Sequence, residues 1–90
     1  MKRVHLIISG DVAGVGYRSW AKRHARDVHL VGWIKNREDR TVEVLAEGTE
    51  EALNAFIVIC KKGPDVSWVE NVNSEWLPAT GEFIDFTVLY

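Results

Sequence analysis

The chain has 90 residues, of which 47% are hydrophobic and 27% charged, and a net charge of -2 at pH 7. This length fits one domain with its own core, so we expect a single domain over residues 1–90. No apolar run of about 18 residues is present, which excludes a membrane-spanning helix. The apolar run after Met1 breaks at Ser9 and Gly10, too early for a secretory signal, so we predict a cytoplasmic protein.

Cysteine and histidine usage argues against a disulfide or a metal site. The single cysteine, Cys60, has no partner for an internal disulfide. His5, His24 and His29 are scattered, without the spacing of metal ligands. We expect neither a metal nor another cofactor.

Charge is distributed unevenly along the chain. Residues 1–40 carry nine Lys/Arg and four Asp/Glu, and residues 41–90 carry two Lys/Arg and nine Asp/Glu. This asymmetry suits an anionic ligand bound by the first half. Solvated charges spread over the surface would give the same counts, so both interpretations stay open.

Apolar periodicity predicts the first four elements. Alternation predicts a strand over Val4–Ser9, and apolar positions three and four residues apart predict an amphipathic helix from Tyr17 to Val28. Two further strands follow, over Leu30–Lys35 and Thr41–Ala46, and polar residues 36–40 join them as a hairpin.

The second half of the chain predicts one helix and two strands. Thr49 is placed to cap a helix that ends at Lys61–Pro64, with acidic residues in its first turn and basic residues in its last. We predict a strand over Val66–Glu75, a loop over Pro78–Gly81 and a last strand over Phe83–Leu89.

This order of elements predicts an α+β fold. Strand, helix, strand, strand, helix, strand, with an extra C-terminal strand, fold most simply as a ferredoxin-like sandwich. We expect an antiparallel sheet with both helices on one face, the face that carries Val4, Leu6 and Ile8.

A glycine-rich stretch, GDVAGVGYRS at residues 10–19, separates the first strand from the first helix. Amides of such a turn and of the first helical turn favour an anion, with phosphate the natural ligand. The stretch lacks the spacing of a nucleotide P-loop, and Ser19 stands where a dinucleotide fingerprint needs its third glycine. Arg18 can hold phosphate through two parallel hydrogen bonds, although a tight turn beside a surface arginine would look alike.

Asn36 ends the predicted second strand, where the hairpin turns. Asparagine is a common turn residue, which explains its presence structurally. Its amide can also donate to and accept from a water molecule. The sequence contains no recognisable Ser-His-acid or Cys-His catalytic arrangement. We interpret Glu38 and Asp39, which follow Asn36, as solvated hairpin residues.

Two blocks of the sequence resemble the acylphosphatase family. Gly10–Arg18 resembles the signature G-x-V-Q-G-V-G-[FY]-R, and Gly32–Asp39 followed by Val42–Val44 is similar to G-[WY]-V-x-N-x-x-D-G-x-V-E-V. The resemblance spans essentially the whole chain. It implies a ferredoxin-like fold and hydrolysis of the carboxyl-phosphate bond of small acyl phosphates, without metal or covalent intermediate.

The same resemblance implies roles for individual residues. Arg18 would bind the phosphate and Asn36 would orient the attacking water. The backbone amides of the phosphate-binding loop would be those of Gly14, Val15, Gly16 and Tyr17. The expected ligands are a small acyl phosphate and inorganic phosphate, with a monomeric protein, no nucleic acid and no membrane.

Three residues depart from the family pattern. Ala13 stands in place of the usual Gln, Arg40 in place of a hairpin Gly, and His29 in place of a Gly after the first helix. We expect a left-handed backbone at His29, which His adopts more readily than branched residues do. None of the three removes a proposed catalytic side chain, although reduced activity and slightly reduced stability are consistent with them.

Two alternatives to hydrolysis are a catalytically weakened anion-binding domain and an RNA-binding module on the same fold. The segment GVGYR echoes an RNA-binding motif, but it precedes a helix instead of lying on a central strand. The acidic second half would also repel a nucleic-acid backbone.

Overall fold

In a computed structural model that describes all residues, 1–90, two helices lie on one five-stranded sheet. No helix has the length and apolar character needed to cross a membrane. The elements in chain order are β1 (Lys2–Asp11), α1 (Tyr17–Asp27), β2 (Val31–Asn36), β3 (Val42–Gly48), α2 (Glu50–Lys62), β4 (Trp68–Pro78) and β5 (Phe86–Leu89). The predicted ferredoxin-like sandwich, including its extra C-terminal strand, is confirmed.

The sheet has the strand order β4-β1-β3-β2-β5. Strand β1 pairs antiparallel with β3 and β4, and β2 pairs antiparallel with β3, as expected. The pairing of β5 with β2 is parallel, so the sheet is mixed and the expectation of antiparallel pairing does not extend to β5. The reason is topological, because residues 79–85 cross the sheet at the end where β4 finishes and enter β5 beside the start of β2.

The core lies between the helices and one face of the sheet. Alternate residues of β1, namely Val4, Leu6 and Ile8, are fully buried, as predicted. Leu53 and Phe56 of α2 pack into the same cluster. Burial of such apolar side chains is the main stabilising contribution in a domain of this size.

A buried carboxylate anchors the crossing segment. Glu47 of β3 is 1% exposed and accepts hydrogen bonds from the Thr80 amide at 2.9 Å and the Gly81 amide at 3.1 Å. The guanidinium of Arg3 donates to the same carboxylate at 2.6 Å and also binds Glu82. This cluster fixes the route by which β5 reaches the far edge.

Several predicted boundaries and burials differ from the structure. Strand β1 extends two residues beyond each predicted end, to Lys2 and Asp11, because it pairs with a long strand on each side. The last strand begins at Phe86 and not at Phe83, since residues 79–85 form the crossing segment. Trp68 is 63% and Trp76 39% exposed on the edge strand β4, so neither tryptophan belongs to the core.

Candidate active site

One small cavity lies where the glycine-rich loop, α1, β2 and β5 meet. Its volume is about 60 Å³. The residues that line it are Val12, Gly14, Gly16, Tyr17, Arg18, Ser19, Asn36, Val88 and Tyr90. The fold therefore brings Arg18 and Asn36 together, although 17 positions separate them between α1 and the end of β2.

The loop enters α1 through two glycines with left-handed backbone. Gly14 has φ 78° and Gly16, the N-cap residue, has φ 80°, a conformation that residues with a Cβ adopt at a cost. The first amide here to donate a hydrogen bond is that of Trp20, to the Gly16 carbonyl at 3.1 Å. The amides of residues 14–19 thus have no partner in the chain and are available to an anion.

Val15 differs from the other predicted loop residues. It does not line the cavity, and its half-buried side chain packs against the core. Tyr17 is buried, and its hydroxyl donates to the Cys60 carbonyl of α2 at 2.7 Å. Burial above all, together with the side chain of Cys60, raises the pKa of Tyr17, so its hydroxyl stays neutral. The bond to the Cys60 carbonyl joins the loop to the second helix.

Arg18 is held beside the cavity by the end of β5. Its Nη1 donates to the Leu89 carbonyl at 3.1 Å, and its guanidinium carbon lies 4.8 Å from the centre of the Tyr90 ring. Both contacts leave N–H groups of the guanidinium unused. No carboxylate forms a salt bridge with Arg18, so its charge is available to an anionic ligand.

Asn36 lines the same cavity and carries an unsatisfied polar atom. Its Oδ1 is inaccessible to solvent and has no hydrogen-bond partner. Buried polar atoms are rarely left without a partner in folded proteins, and such an exception calls for an explanation. A hydrogen-bond donor that reaches this oxygen when the site is occupied would supply the missing partner.

The hairpin after Asn36 is closed by its own hydrogen bonds. The Arg37 amide donates to the Thr41 carbonyl at 2.8 Å, and Arg40 adopts φ 68° in place of a glycine. Asp39 accepts from the Thr41 hydroxyl at 2.6 Å and from its amide at 3.1 Å. Those two bonds lower the pKa of Asp39, which supports the interpretation of this carboxylate as a turn residue.

Titratable groups elsewhere do not assemble a second reactive centre. Cys60 is fully buried, and burial raises the pKa of its thiol to about 12. On the open face of the sheet, His5 contacts the Glu43 carboxylate at 2.7 Å. No three His, Cys, Asp or Glu side chains lie close enough together to hold a metal ion.

Sequence reasoning missed four residues that line the cavity. Val12 is a buried apolar residue of the loop, and Ser19 was considered only as a departure from another motif. Val88 and Tyr90 reach the cavity only because β5 lies parallel to β2 at the edge of the sheet. No local signal in the sequence specifies that pairing.

This arrangement can bind a small tetrahedral anion and hold a water against it. Unpaired amides and a guanidinium provide donors with fixed directions, and Asn36 provides an acceptor. These polar groups come from the glycine-rich loop, α1 and β2, so the folded sheet and not the loop alone determines their positions.

Comparisons with known proteins agree with this description. The family model described as Acylphosphatase matches residues 4–88. A protein of Methylococcus capsulatus named acylphosphatase is 42% identical over 89 residues, covering 99% of this chain and 97% of its own length. One from Marinobacter nauticus is 43% identical over 86 residues, covering 96% and 94%. The crystal structure of acylphosphatase from Bacillus subtilis superposes with a TM-score of 0.96 at 36% identity, covering 100% of both chains.

Proposed function

The chain belongs to the acylphosphatase family, and from this premise we propose that it hydrolyses the carboxyl-phosphate bond of small acyl phosphates by direct attack of water. In this proposal Arg18 and the loop amides bind the phosphoryl group, and Asn36 orients the water. The products are a carboxylate and inorganic phosphate.

The cavity supports a phosphoryl site made of backbone and guanidinium donors. Three phosphoryl oxygens need several donors, and Gly14, Gly16 and Tyr17, whose amides are unpaired, line the same cavity as Arg18. Preorganised donors of this kind act most strongly where water is excluded. Since phosphoryl transfer proceeds through a loose transition state, positioning and charge neutralisation supply most of the catalysis.

The buried, unpartnered Oδ1 of Asn36 is the observation that carries the proposal. A carboxamide oxygen accepts a hydrogen bond from water and thereby turns a lone pair of that water away from the asparagine. With a phosphoryl group bound beside Arg18, the water would face phosphorus from the side of β2.

The reaction requires neither a strong acid nor a dedicated base. The oxygen of water forms a bond to phosphorus while the bond between phosphorus and the acyl oxygen breaks. The electron pair of that bond leaves with the carboxylate, which has a low proton affinity. A phosphoryl oxygen takes the proton from the water, so the lack of a histidine or carboxylate lining the cavity is consistent with the chemistry.

Hydrolysis of acetyl phosphate and benzoyl phosphate tests the proposal. We expect Asn36→Ala to lower kcat roughly 100-fold, by analogy with the loss of one preorganised donor, about 3 kcal/mol of barrier. Arg18→Ala should lower kcat/KM further because phosphate binding also fails. Matched controls are Asn54→Ala and Arg23→Ala, which remove exposed residues of α2 and α1 outside the cavity.

Wild-type rates in both site variants would contradict this assignment of roles. Phosphate binding without hydrolysis by the wild type would instead favour the weakened anion-binding domain. A monomeric state, a cytoplasmic location and the absence of nucleic-acid binding stay predictions from the sequence.

A further inference from the structure

Ser19 lines the cavity and carries a hydroxyl that the mechanism above does not use. It is the third residue of α1, is exposed, and lines the cavity beside Arg18. The side-chain hydrogen bonds in this turn are those of Tyr17 and Arg18, and the Ser19 hydroxyl makes none. A helical serine often bonds back to a carbonyl of the preceding turn, so this hydroxyl is unusually free to meet a ligand.

The position of Ser19 on α1 determines which side of the cavity it occupies. Tyr17, Ala21 and Ala25 are the buried residues of the helix and mark the side that faces the core. Ser19 lies two residues after Tyr17, about 200° around the helix, on the outer side. Asn36 enters the same cavity from β2, within the sheet. The two side chains therefore approach a bound phosphoryl group from different sides.

We propose that the Ser19 hydroxyl donates a hydrogen bond to the departing carboxylate oxygen of the acyl phosphate. The inference rests on the proposed function, in which Asn36 holds the attacking water. In-line displacement places the nucleophile and the leaving oxygen on opposite sides of phosphorus. With water on the side of the sheet, the leaving oxygen points outward, toward the wall that carries Ser19.

The hydrogen bond assists bond cleavage without proton transfer. As the bond between phosphorus and the acyl oxygen breaks, its electron pair moves onto that oxygen and becomes a carboxylate charge. The Ser19 hydroxyl keeps its proton and donates more strongly as this charge grows, because hydrogen bonds to charged acceptors are the strong ones. The contribution is therefore larger in the transition state than in the bound substrate, which raises kcat.

The test compares Ser19→Ala and Ser19→Thr with the wild type on a series of substituted benzoyl phosphates. Alanine is a better helix former than serine, so Ser19→Ala should remain folded. We expect Ser19→Ala to lower kcat about 10-fold, the range for a hydrogen bond to a charged group. We expect Ser19→Thr to restore most of the activity. The loss should grow with the basicity of the leaving carboxylate, which a purely structural role would not produce.

Inhibition by inorganic phosphate provides an independent readout, since phosphate has no leaving acyl group. The inhibition constant should stay within about twofold of wild type in Ser19→Ala. Ser74→Ala, an exposed serine of β4 outside the cavity, is the matched control and should leave kcat unchanged.

An unchanged kcat in Ser19→Ala, or a loss that is the same for every leaving group, would overturn the inference. A weaker inhibition by phosphate would also overturn it, since it would place the hydroxyl on a phosphoryl oxygen. If Asn36→Ala loses activity and Ser19→Ala does not, this inference alone fails. If Asn36→Ala keeps the wild-type rate, the role of Asn36 fails, and with it the direction of water attack on which this inference depends. If the wild type hydrolyses none of the substrates, the proposed function itself fails.

Discussion

Removal of the Glu47 carboxylate tests how the crossing segment is held on the sheet. The carboxylate is 1% exposed and accepts from Arg3 at 2.6 Å, from the Thr80 amide at 2.9 Å and from the Gly81 amide at 3.1 Å. Glu47→Ala leaves two backbone amides and a largely buried guanidinium without this partner. Breaking a buried ion pair costs about 3–5 kcal/mol, so we expect a loss of about 4 kcal/mol in the free energy of unfolding.

Urea unfolding at pH 7, followed by tryptophan fluorescence and circular dichroism, measures this loss. Because about 4 kcal/mol is a large share of the stability of a small domain, Glu47→Gln serves as a milder variant, with an expected loss of about 2 kcal/mol. Glu75→Ala, on the exposed edge of β4, is the control and should change stability by less than about 0.5 kcal/mol. A loss below about 1 kcal/mol in Glu47→Ala would refute the reasoning.

The pH dependence of the same pair gives a second check. Burial alone would raise the pKa of Glu47, but the hydrogen bonds from the Thr80 amide, Arg3 and the Gly81 amide together keep it below 4.5, the ordinary value. A carboxyl whose pKa is lower in the folded state stabilises the fold above its unfolded pKa and loses that contribution as pH falls. The stability difference between wild type and Glu47→Gln should therefore shrink as pH falls below 4.5. A difference that stays constant would contradict the assignment.

Three further predictions concern single positions. His29 has φ 62°, so His29→Gly should raise the free energy of unfolding by about 0.5–1 kcal/mol, whereas His29→Ala should not. The midpoints of urea unfolding of the two variants measure this difference. Gly32→Ala would place a Cβ 1.9 Å from the Leu45 carbonyl oxygen and should lower the free energy of unfolding by at least about 3 kcal/mol. At Gly14 an added Cβ would have no atom within 4 Å, so Gly14→Ala should lower it by only about 1–2 kcal/mol. The Cys60 thiol should not react with a disulfide reagent in the native protein at pH 8 and should react fully in urea, because it is buried with a pKa of about 12.

Most of the fold follows from local patterns in the sequence. Alternation over Val4–Ser9 and helical spacing after Tyr17 reflect which face of each element is buried, so they locate the elements correctly. The left-handed backbone expected at His29 is confirmed at φ 62°, since the residue follows a helix end. The pairing of the strands does not follow from such patterns, because the alternation within a β-strand contains no information about which strand lies beside it. The parallel placement of β5 depends on the crossing segment and on Glu47, contacts between residues far apart in sequence.

The candidate site could be predicted only in part. Residue chemistry alone singled out the glycine loop, Arg18 and Asn36 as candidates, with a tight turn, a surface arginine and a turn asparagine as open alternatives. The family resemblance then implied their roles. The contacts that position the Arg18 guanidinium come from Leu89 and Tyr90, and no local sequence pattern specifies where these two residues lie. The unsatisfied oxygen of Asn36 is likewise visible only once the hairpin has been folded onto the sheet.

The structure also clarifies the uneven distribution of charge between the two halves of the chain. Four of the nine basic residues in the first half, Lys2, Arg3, Arg26 and Lys35, form ion pairs with acidic residues of the second half. Much of the asymmetry is therefore internal pairing, since the fold places β1 and β2 on either side of β3.

Arg18 differs from the other basic residues that form no ion pair. The others are Lys22, Arg23, Arg37, Arg40, Lys61 and Lys62, and none of them lines the cavity, so none directly contacts an anion bound there. Salt also screens the attraction of exposed charges over a length of about 8 Å. Anion affinity should then depend on one guanidinium and a set of unpaired amides. It should change little when the net charge of the surface is altered.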